Sequence, residues 1–396
     1  MLLPAIPSLL KDLNERRVFE LIRAEHPLSR AEIARRAGIS KPTASLALQS
    51  LLDARLVREA PGSSRARLVE PEPDAAFVLT LDIGARFLRG AVANIVGDVL
   101  ARRDLAIDGL SAAQIVARAA ELRDELVALA GIQRLELAVA GAPGVLDPAS
   151  GRLQLAAAIE GLDGFAIADE LERALDLPVL VENDINLAAL GEQWRGVGAD
   201  VDDFAFLSIG TGLGAGIVLR GELHRGHRGA AGELDFAVEG GLESPHDPST
   251  PGLLHLVEEL AAAHAAPTTL APPYEARAVF DAARAGDPLA RLAVEREGER
   301  IARYVAPIAA VVDVELIVLG GGIGRNGDLL IEPMRRTLAA AVPFPPRIEV
   351  SALGNESVLT GALAVALREA VDTVFARSRS RSHVEPNTTL LERTIR

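Results

Sequence analysis

The stretch Phe204–Glu233, FAFLSIGTGLGAGIVLRGELHRGHRGAAGE, decides how the rest of the chain reads. Its apolar opening, Phe204, Phe206, Leu207 and Ile209, predicts a buried strand. The strand meets Gly210-Thr211-Gly212-Leu213-Gly214, and a second apolar run, Ala215 to Leu219, follows at once. Strands joined through glycines let backbone N–H groups approach a bound anion, because no Cβ stands in the way. Gly229 to Gly232 then deliver one carboxylate, Glu233, suited to accept hydrogen bonds from ligand hydroxyls. A tight hairpin whose glycines serve turn geometry alone is the competing reading.

Working outward, strands alternate with helices, which means α/β layers. Phe77 to Ile83, Leu88 to Ile95 and Val99 to Ile107 read as strands, and 111–130 as a helix. Leu135 to Ala140 is a strand running into Gly141-Ala142-Pro143-Gly144, and Gly164 to Leu175 is helical. Val179 to Val181 is a short strand, after which Asn183-Asp184 begin a helix reaching about Gln193. Helices dominate 252–312, and Glu315 to Leu319 is a strand entering Gly320-Gly321-Gly322. A helix follows Asn326, Arg347 to Ser351 is the last strand, and 357–375 the last helix. The turns at Gly84, Gly210 and Gly321 all follow strands, so one cleft between two lobes is expected to gather them.

Residues 1–70 read as a separate head. A helix over Glu15 to Glu25 is closed by His26-Pro27, and Ser29 with Glu32 forms a capping box. Gly38 makes a tight turn, Ser40 caps the next helix with Pro42 in its first turn, and Leu46, Leu48, Leu51 and Leu52 supply its buried stripe. Leu56 to Glu59 and Ala66 to Val69 flank a turn, as in a β-hairpin wing. Helix, tight turn, helix and wing are the pattern of a winged helix-turn-helix. Ser40, Lys41, Thr43, Ser45 and Gln49 are the candidates for base edges and phosphates, with Arg65 and Arg67 on the wing. A three-helix protein-interaction module is the alternative. Residues 71–76, beginning in Glu70-Pro71-Glu72-Pro73-Asp74, read as a short stiff linker, and 377–396 as a loose tail.

Charge divides the same way. Residues 1–69 carry 12 Lys and Arg against 7 Asp and Glu, leaving a balance of −19 for the remainder of a chain whose total is −14. A basic head on an acidic body implies two different partners. The absence of cysteine excludes disulfides and thiolate chemistry, and it fits a reducing cytoplasm. No apolar run nears the roughly 18 residues of a membrane span. The start, MLLPAIPSLLKDLNERR, lacks the features of a signal peptide.

With the head in front, the order of LDIG (81–84), APG (142–144), VENDIN (181–186), GTGLGAG (210–216), the RG…GE spacing (225–233) and VLGGGI (318–323) resembles the ROK family of sugar kinases and sugar-responsive transcriptional regulators. The resemblance covers about residues 15–372. It implies an actin-like, hexokinase-type (ribonuclease H-like) domain over 77–376, with one lobe from 77–185 plus the C-terminal helix and the other from 186–356. It places Asn183, Asp184 and Glu233 at the sugar. Asp184 matches the general base of the family's kinases, which hold ATP phosphates on glycine turns with Mg²⁺. Here Gly84, Gly210, Thr211, Gly212, Gly214 and Gly321 are vestigial phosphate-binding candidates.

Three departures set the functional expectation. Ala85-Arg86-Phe87 stand where the kinases place a small residue, a threonine and a basic residue. Phe236 replaces the histidine that touches sugar and zinc, and the cysteine-rich zinc loop is absent, leaving His246 and Asp247. The expectation is therefore a cytoplasmic, homodimeric or higher homo-oligomeric regulator, most often a repressor, binding operator DNA and a sugar effector. It needs no cofactor and no structural zinc. A sugar kinase with an appended DNA-binding domain, and a scaffold with both sites decayed, are the alternatives.

Overall fold

The computed structural model describes residues 7–61, 67–236, 247–263 and 267–382, with side chains from Leu10 to Arg377. The head consists of α1 (Pro7–Glu25), β1 (Leu28–Ser29), α2 (Arg30–Arg36), α3 (Lys41–Asp53), β2 (Val57–Glu59) and β3 (Leu68–Pro71). Its caps are those read from the sequence. Glu32 N–H donates to Ser29 Oγ at 3.3 Å, and Ser29 N–H donates to Glu32 Oε2 at 2.9 Å. Ser40 Oγ accepts from Thr43 N–H at 3.2 Å, and Gly38 supplies the left-handed turn at φ 64°. Ala44, Ala47, Leu48 and Leu51 form the buried stripe of α3. Leu46, expected in that stripe, is 72% exposed. Its position two residues before Leu48 turns it to the outer face.

The expected linker is part of the folded structure. Pro71 ends β3, paired with Val57, and Pro73–Ala75 form a 3₁₀ turn. Ala76 is buried in the head's core.

The body contains the same strand plan twice. In the first sheet, β4 (Phe77–Ile83), β5 (Phe87–Asn94) and β6 (Val99–Ala106) form an antiparallel meander, and β7 (Leu137–Ala142) and β10 (Val179–Asn183) run parallel to β4. A small hairpin, β8 (Val145–Leu146) and β9 (Leu153–Gln154), follows β7. The second sheet repeats the plan. β11 (Phe204–Ile209), β12 (Leu213–Leu219) and β13 (Glu222–Leu223) meander, while β14 (Leu316–Gly320) runs parallel beside β11 and β15 (Arg347–Val350) parallel beside β14.

Alternation along β4 separates two cores. Leu79, Leu81 and Ile83 face α4 (Ala112–Ala130) and α5 (Ile167–Leu175), whereas Val78 faces α12 (Ser357–Ser382). In the second sheet, Ala205, Leu207 and Ile209 pack against α7 (Thr250–Ala263), α8 (Ala276–Arg284), α9 (Pro288–Val312) and α11 (Gly327–Ala341). The short α10 (Gly321–Gly324) closes the turn after β14. Between the sheets lies α6 (Asp184–Arg195): Leu187 joins the core of the first, Ala188 and Ala189 the core of the second.

The last helix returns to the first sheet and then meets the head. Ala362 to Ala370 pack on the sheet, while Val371, Val374 and Phe375 complete the head's core. Phe19 meets Phe375 edge-on at 5.9 Å, and Arg16 pairs with Asp372. The helix also runs past the expected start of a loose tail: Arg377 donates to Glu136 at 2.6 Å, and the backbone stays helical to Ser382.

One buried charge supplies a stability prediction. Glu297, on α9, is fully buried, and its carboxylate oxygens have no hydrogen-bond partner among the described residues. Arg300 makes an ion-pair contact with it at 3.3 Å. Burial pushes its pKa up to about 8 despite Arg300. A carboxyl raised in the folded state stabilises fully below its unfolded pKa, and that contribution is lost as pH rises towards 8. Glu297→Gln should therefore leave the melting temperature near pH 4 almost unchanged and raise it relative to wild type at pH 8. Calorimetric melts at the two pH values check this.

Candidate functional site

The site grows from the junction of β10 and α6. Asn183 caps α6 through Oδ1, which accepts from Asn186 N–H at 3.0 Å, and its Nδ2 donates to the Gly144 carbonyl at 3.0 Å. Gly144 is required there: its φ is +99°, and a Cβ would lie 2.7 Å from the Gln154 oxygen. Asp184 opens the helix, its Oδ1 accepting from Ile185 N–H at 2.9 Å. A helix N-terminus favours an anion. Even so, the Asp184 pKa is pushed up to about 7, by burial first and then by the nearby Asp82 and Glu233 carboxylates.

Three carboxylates from distant segments thus share one neighbourhood. Asp82 lies near the end of β4, 4% exposed, and accepts from Arg89 at 2.7 Å; burial raises its pKa more than Arg89 lowers it. Glu233 is raised by burial and then by Asp235. Asp82 was not among the candidates read from the sequence. Its signal was present, as a single charge inside the otherwise apolar run FVLTLDI.

Glu233 is placed by backbone contacts. Gly232, at φ +97°, lets its carbonyl accept from Ala215 N–H at 2.9 Å, and a Cβ there would sit 1.8 Å from the Ala215 oxygen. Arg225 Nε donates to Glu182 Oε2 at 2.6 Å, tying the loop to β10. The neighbouring Asp235 is buried, with Oδ1 unpartnered among the described residues, and burial then Asp247 push its pKa up to about 6. Phe236 is 57% exposed, and His246 lies outside the described residues.

The glycines divide by role. Gly84 N–H donates to the Phe87 carbonyl at 2.9 Å and Gly210 N–H to the Gly212 carbonyl at 3.0 Å, so both close their own turns. Gly214 lies inside β12, where a Cβ would meet Ile185 Cδ1 at 2.5 Å; it lets α6 lie close on the sheet. Gly321 has φ +77°, and a Cβ would sit 2.3 Å from the Ile209 oxygen. Thr211 and Gly212 are exposed. The Gly210 and Gly320–Gly322 turns meet, a Cβ at Gly210 lying 3.8 Å from Gly322 N. A cavity of about 550 Å3 adjoins them, lined by Gly322, Asn326, Thr250 and Arg284. The Gly84 turn belongs to the other sheet, with Phe87 partly exposed under the Arg89 guanidinium and Arg86 beside Asp108.

On the head, the outward face of α3 presents Lys41, Ser45, Leu46 and Gln49. Ser40 and Thr43 share a hydrogen bond of 2.7 Å, and Gln49 donates to Asp53 at 2.8 Å. Arg67 is exposed beside Glu59 at 3.3 Å, a surface pair that yields readily to a phosphate. Arg65 lies outside the described residues. Leu46 is the residue that sequence reasoning misassigned. An exposed leucine between polar neighbours suits a thymine methyl in a major groove.

The model of the ROK family matches residues 78–369, and that of the MarR family residues 12–66. A xylose repressor of Caldicellulosiruptor bescii is 24% identical over 394 residues, covering 91% of this chain and 97% of that protein. A glucokinase of Halalkalibacterium halodurans is 32% identical over 244 residues, covering 56% of this chain and 73% of that one. Among solved structures, a ROK family transcriptional regulator homologous to the E. coli MLC protein superposes with a TM-score of 0.79 at 22% identity, covering 93% of this chain and 98% of that one. Two-sheet body and winged head therefore occur together in a known fold. Among the described residues, no helix is long and apolar enough to cross a membrane.

Proposed function

The chain belongs to the ROK family, and on that premise we propose that it is a sugar-responsive, DNA-binding transcriptional repressor. One observation carries the reading: the helix that begins at Asp184 packs along α12, and α12 completes the core of the head that bears α3. Cleft and head are thus mechanically joined. In the cleft, Asp82, Asp184 and Glu233 supply acceptors for sugar hydroxyls, and Asn183 fixes the loop carrying Gly144. On the head, Lys41, Ser45, Leu46 and Gln49 face base edges, with Ser40, Thr43 and Arg67 near the phosphates. The protein acts in the cytoplasm as a homodimer, whose two heads meet two half-sites.

Phosphoryl transfer has little support in the residues present. A transferring phosphoryl group needs donors aimed at its developing charge, and losing them costs several kcal/mol of barrier. Gly84 and Gly210 spend their N–H groups within their own turns, and the Phe87 side chain offers no donor. Nor does the reading require structural zinc, since the chain has no cysteine.

A thermal-shift panel of sugars and sugar phosphates tests the effector class, and ATP turnover is measured on the same samples. A bound effector at 100 times its Kd stabilises by about 2.7 kcal/mol, so one sugar should raise the melting temperature by several degrees. Sugar-dependent ATP turnover lost in Asp184→Asn would establish the kinase reading instead.

A further inference from the structure

The seam between head and body forms an open cavity of about 500 Å3, distinct from the cleft and from the glycine turns. That size is ordinary for a small-molecule site. It is walled by α1 of the head and by α6 and α12 of the body. Leu190, Trp194, Leu367 and Val371 make its apolar lining, and Leu367 and Val371 are buried at its base. These apolar surfaces suit a ligand with a flat apolar body, unlike the carboxylate-lined cleft.

Its charged lining is weighted towards arginine. Arg16, Arg23 and Arg368 stand against Glu20 and Asp372. Arg16 is paired with Asp372. Among the described residues Arg23 pairs with Glu20, three residues back on the same helix, at 2.7 Å. Such a pair contributes little and exchanges readily for a better anion. Across the seam, the Arg195 guanidinium lies over the Trp194 ring at 3.8 Å. Burial holds Arg195 below its ordinary pKa; Asp98 opposes this, and Arg23 adds to the lowering. Two guanidinium groups, one on the head and one on the body, therefore repel each other beside an indole face. An anion bound at Arg23 offsets that repulsion.

We propose that this cavity is a second ligand site, taking a small organic carboxylate with a flat apolar body that packs on Trp194, Leu367 and Val371 while its carboxylate engages Arg23. Because such a ligand touches α1 and α12 together, it fixes the head against the body. The proposal does not rest on the sugar reading.

Trp194 is the only tryptophan of the chain, so its fluorescence reports on this cavity without other tryptophan signals. The test titrates the full chain with benzoate, and with benzyl alcohol as the uncharged isostere. Benzoate should shift Trp194 emission saturably, and about tenfold more tightly than benzyl alcohol, the difference expected for a charged hydrogen bond. Arg23→Gln should remove that tenfold preference, and Arg23→Lys should keep most of it; circular dichroism verifies that both stay folded. Emission unmoved by benzoate, equal affinity for the alcohol, or an unchanged preference in Arg23→Gln would overturn the proposal.

Discussion

Gly361→Val is expected to destabilise the body by about 3 kcal/mol or more, the upper end of what overpacking costs. At Gly361 even a single Cβ would lie 1.8 Å from the Leu187 carbonyl oxygen and 2.9 Å from Gly191 N. The obstacle is backbone, so no rotamer change relieves it. Gly191 is the reciprocal contact, where a Cβ would meet the Ser357 oxygen at 2.3 Å. The two glycines let α6 and α12 cross with their backbones nearly touching, much as small residues do between membrane helices. Forcing them apart moves the helix that starts at Asp184 away from the helix that completes the head's core. Thermal and chemical unfolding should show the loss, and Gly361→Ala should show a smaller loss of the same kind. A Gly361→Val protein as stable as wild type would mean that the crossing is looser than this geometry.

How much of this was legible beforehand follows from the range of the interactions. The caps at Ser29 and Ser40, the glycine at 38, and most strands were readable, because each depends on neighbours within a few residues. Glu233 was legible as a candidate through the glycine run before it, and Asp184 through its place where a strand passes into a helix. Asp82 was missed, because its meaning depends on Asp184 about a hundred residues away and on Arg89 in the next strand. Leu46 was misplaced because a leucine-rich helix has two candidate stripes, and only packing against α1 and α2 chooses between them. At Gly214 and Gly321, read as phosphate-binding candidates, a Cβ would also meet Ile185 Cδ1 and the Ile209 oxygen, a packing demand set by residues distant in sequence. The seam was invisible: Phe19 and Phe375 meet across more than 350 residues of sequence.

The second large effect concerns the cleft. Asp184→Asn and Glu233→Ala should each weaken sugar binding by roughly 10- to 100-fold, since hydrogen bonds to a charged group are worth about 1.5–3 kcal/mol. Asp184→Asn should leave the fold intact, because it removes a carboxylate that burial already raises to about 7. The same pKa gives binding a pH dependence. Sugar hydroxyls donate to the ionised form, so sugar affinity should rise as pH climbs through 7, with protons released on binding. Titration calorimetry in buffers of different ionisation enthalpy would detect that release. A sugar affinity independent of pH from 6 to 8 would show that Asp184 does not contact the ligand.

Linkage between cleft and head is the central claim, and allosteric coupling of this kind is typically about 5- to 150-fold in affinity. It requires the sugar to prefer one arrangement of the heads, since a ligand binding both equally shifts nothing. The most direct measurement is operator affinity, at one fixed salt concentration, with and without the sugar that raises the melting temperature. Wild type should change affinity at least fivefold when the sugar is added, while Asp184→Asn and Glu233→Ala bind the operator as tightly as unliganded wild type and change less than twofold. Variants that respond to the sugar as wild type does would contradict the account.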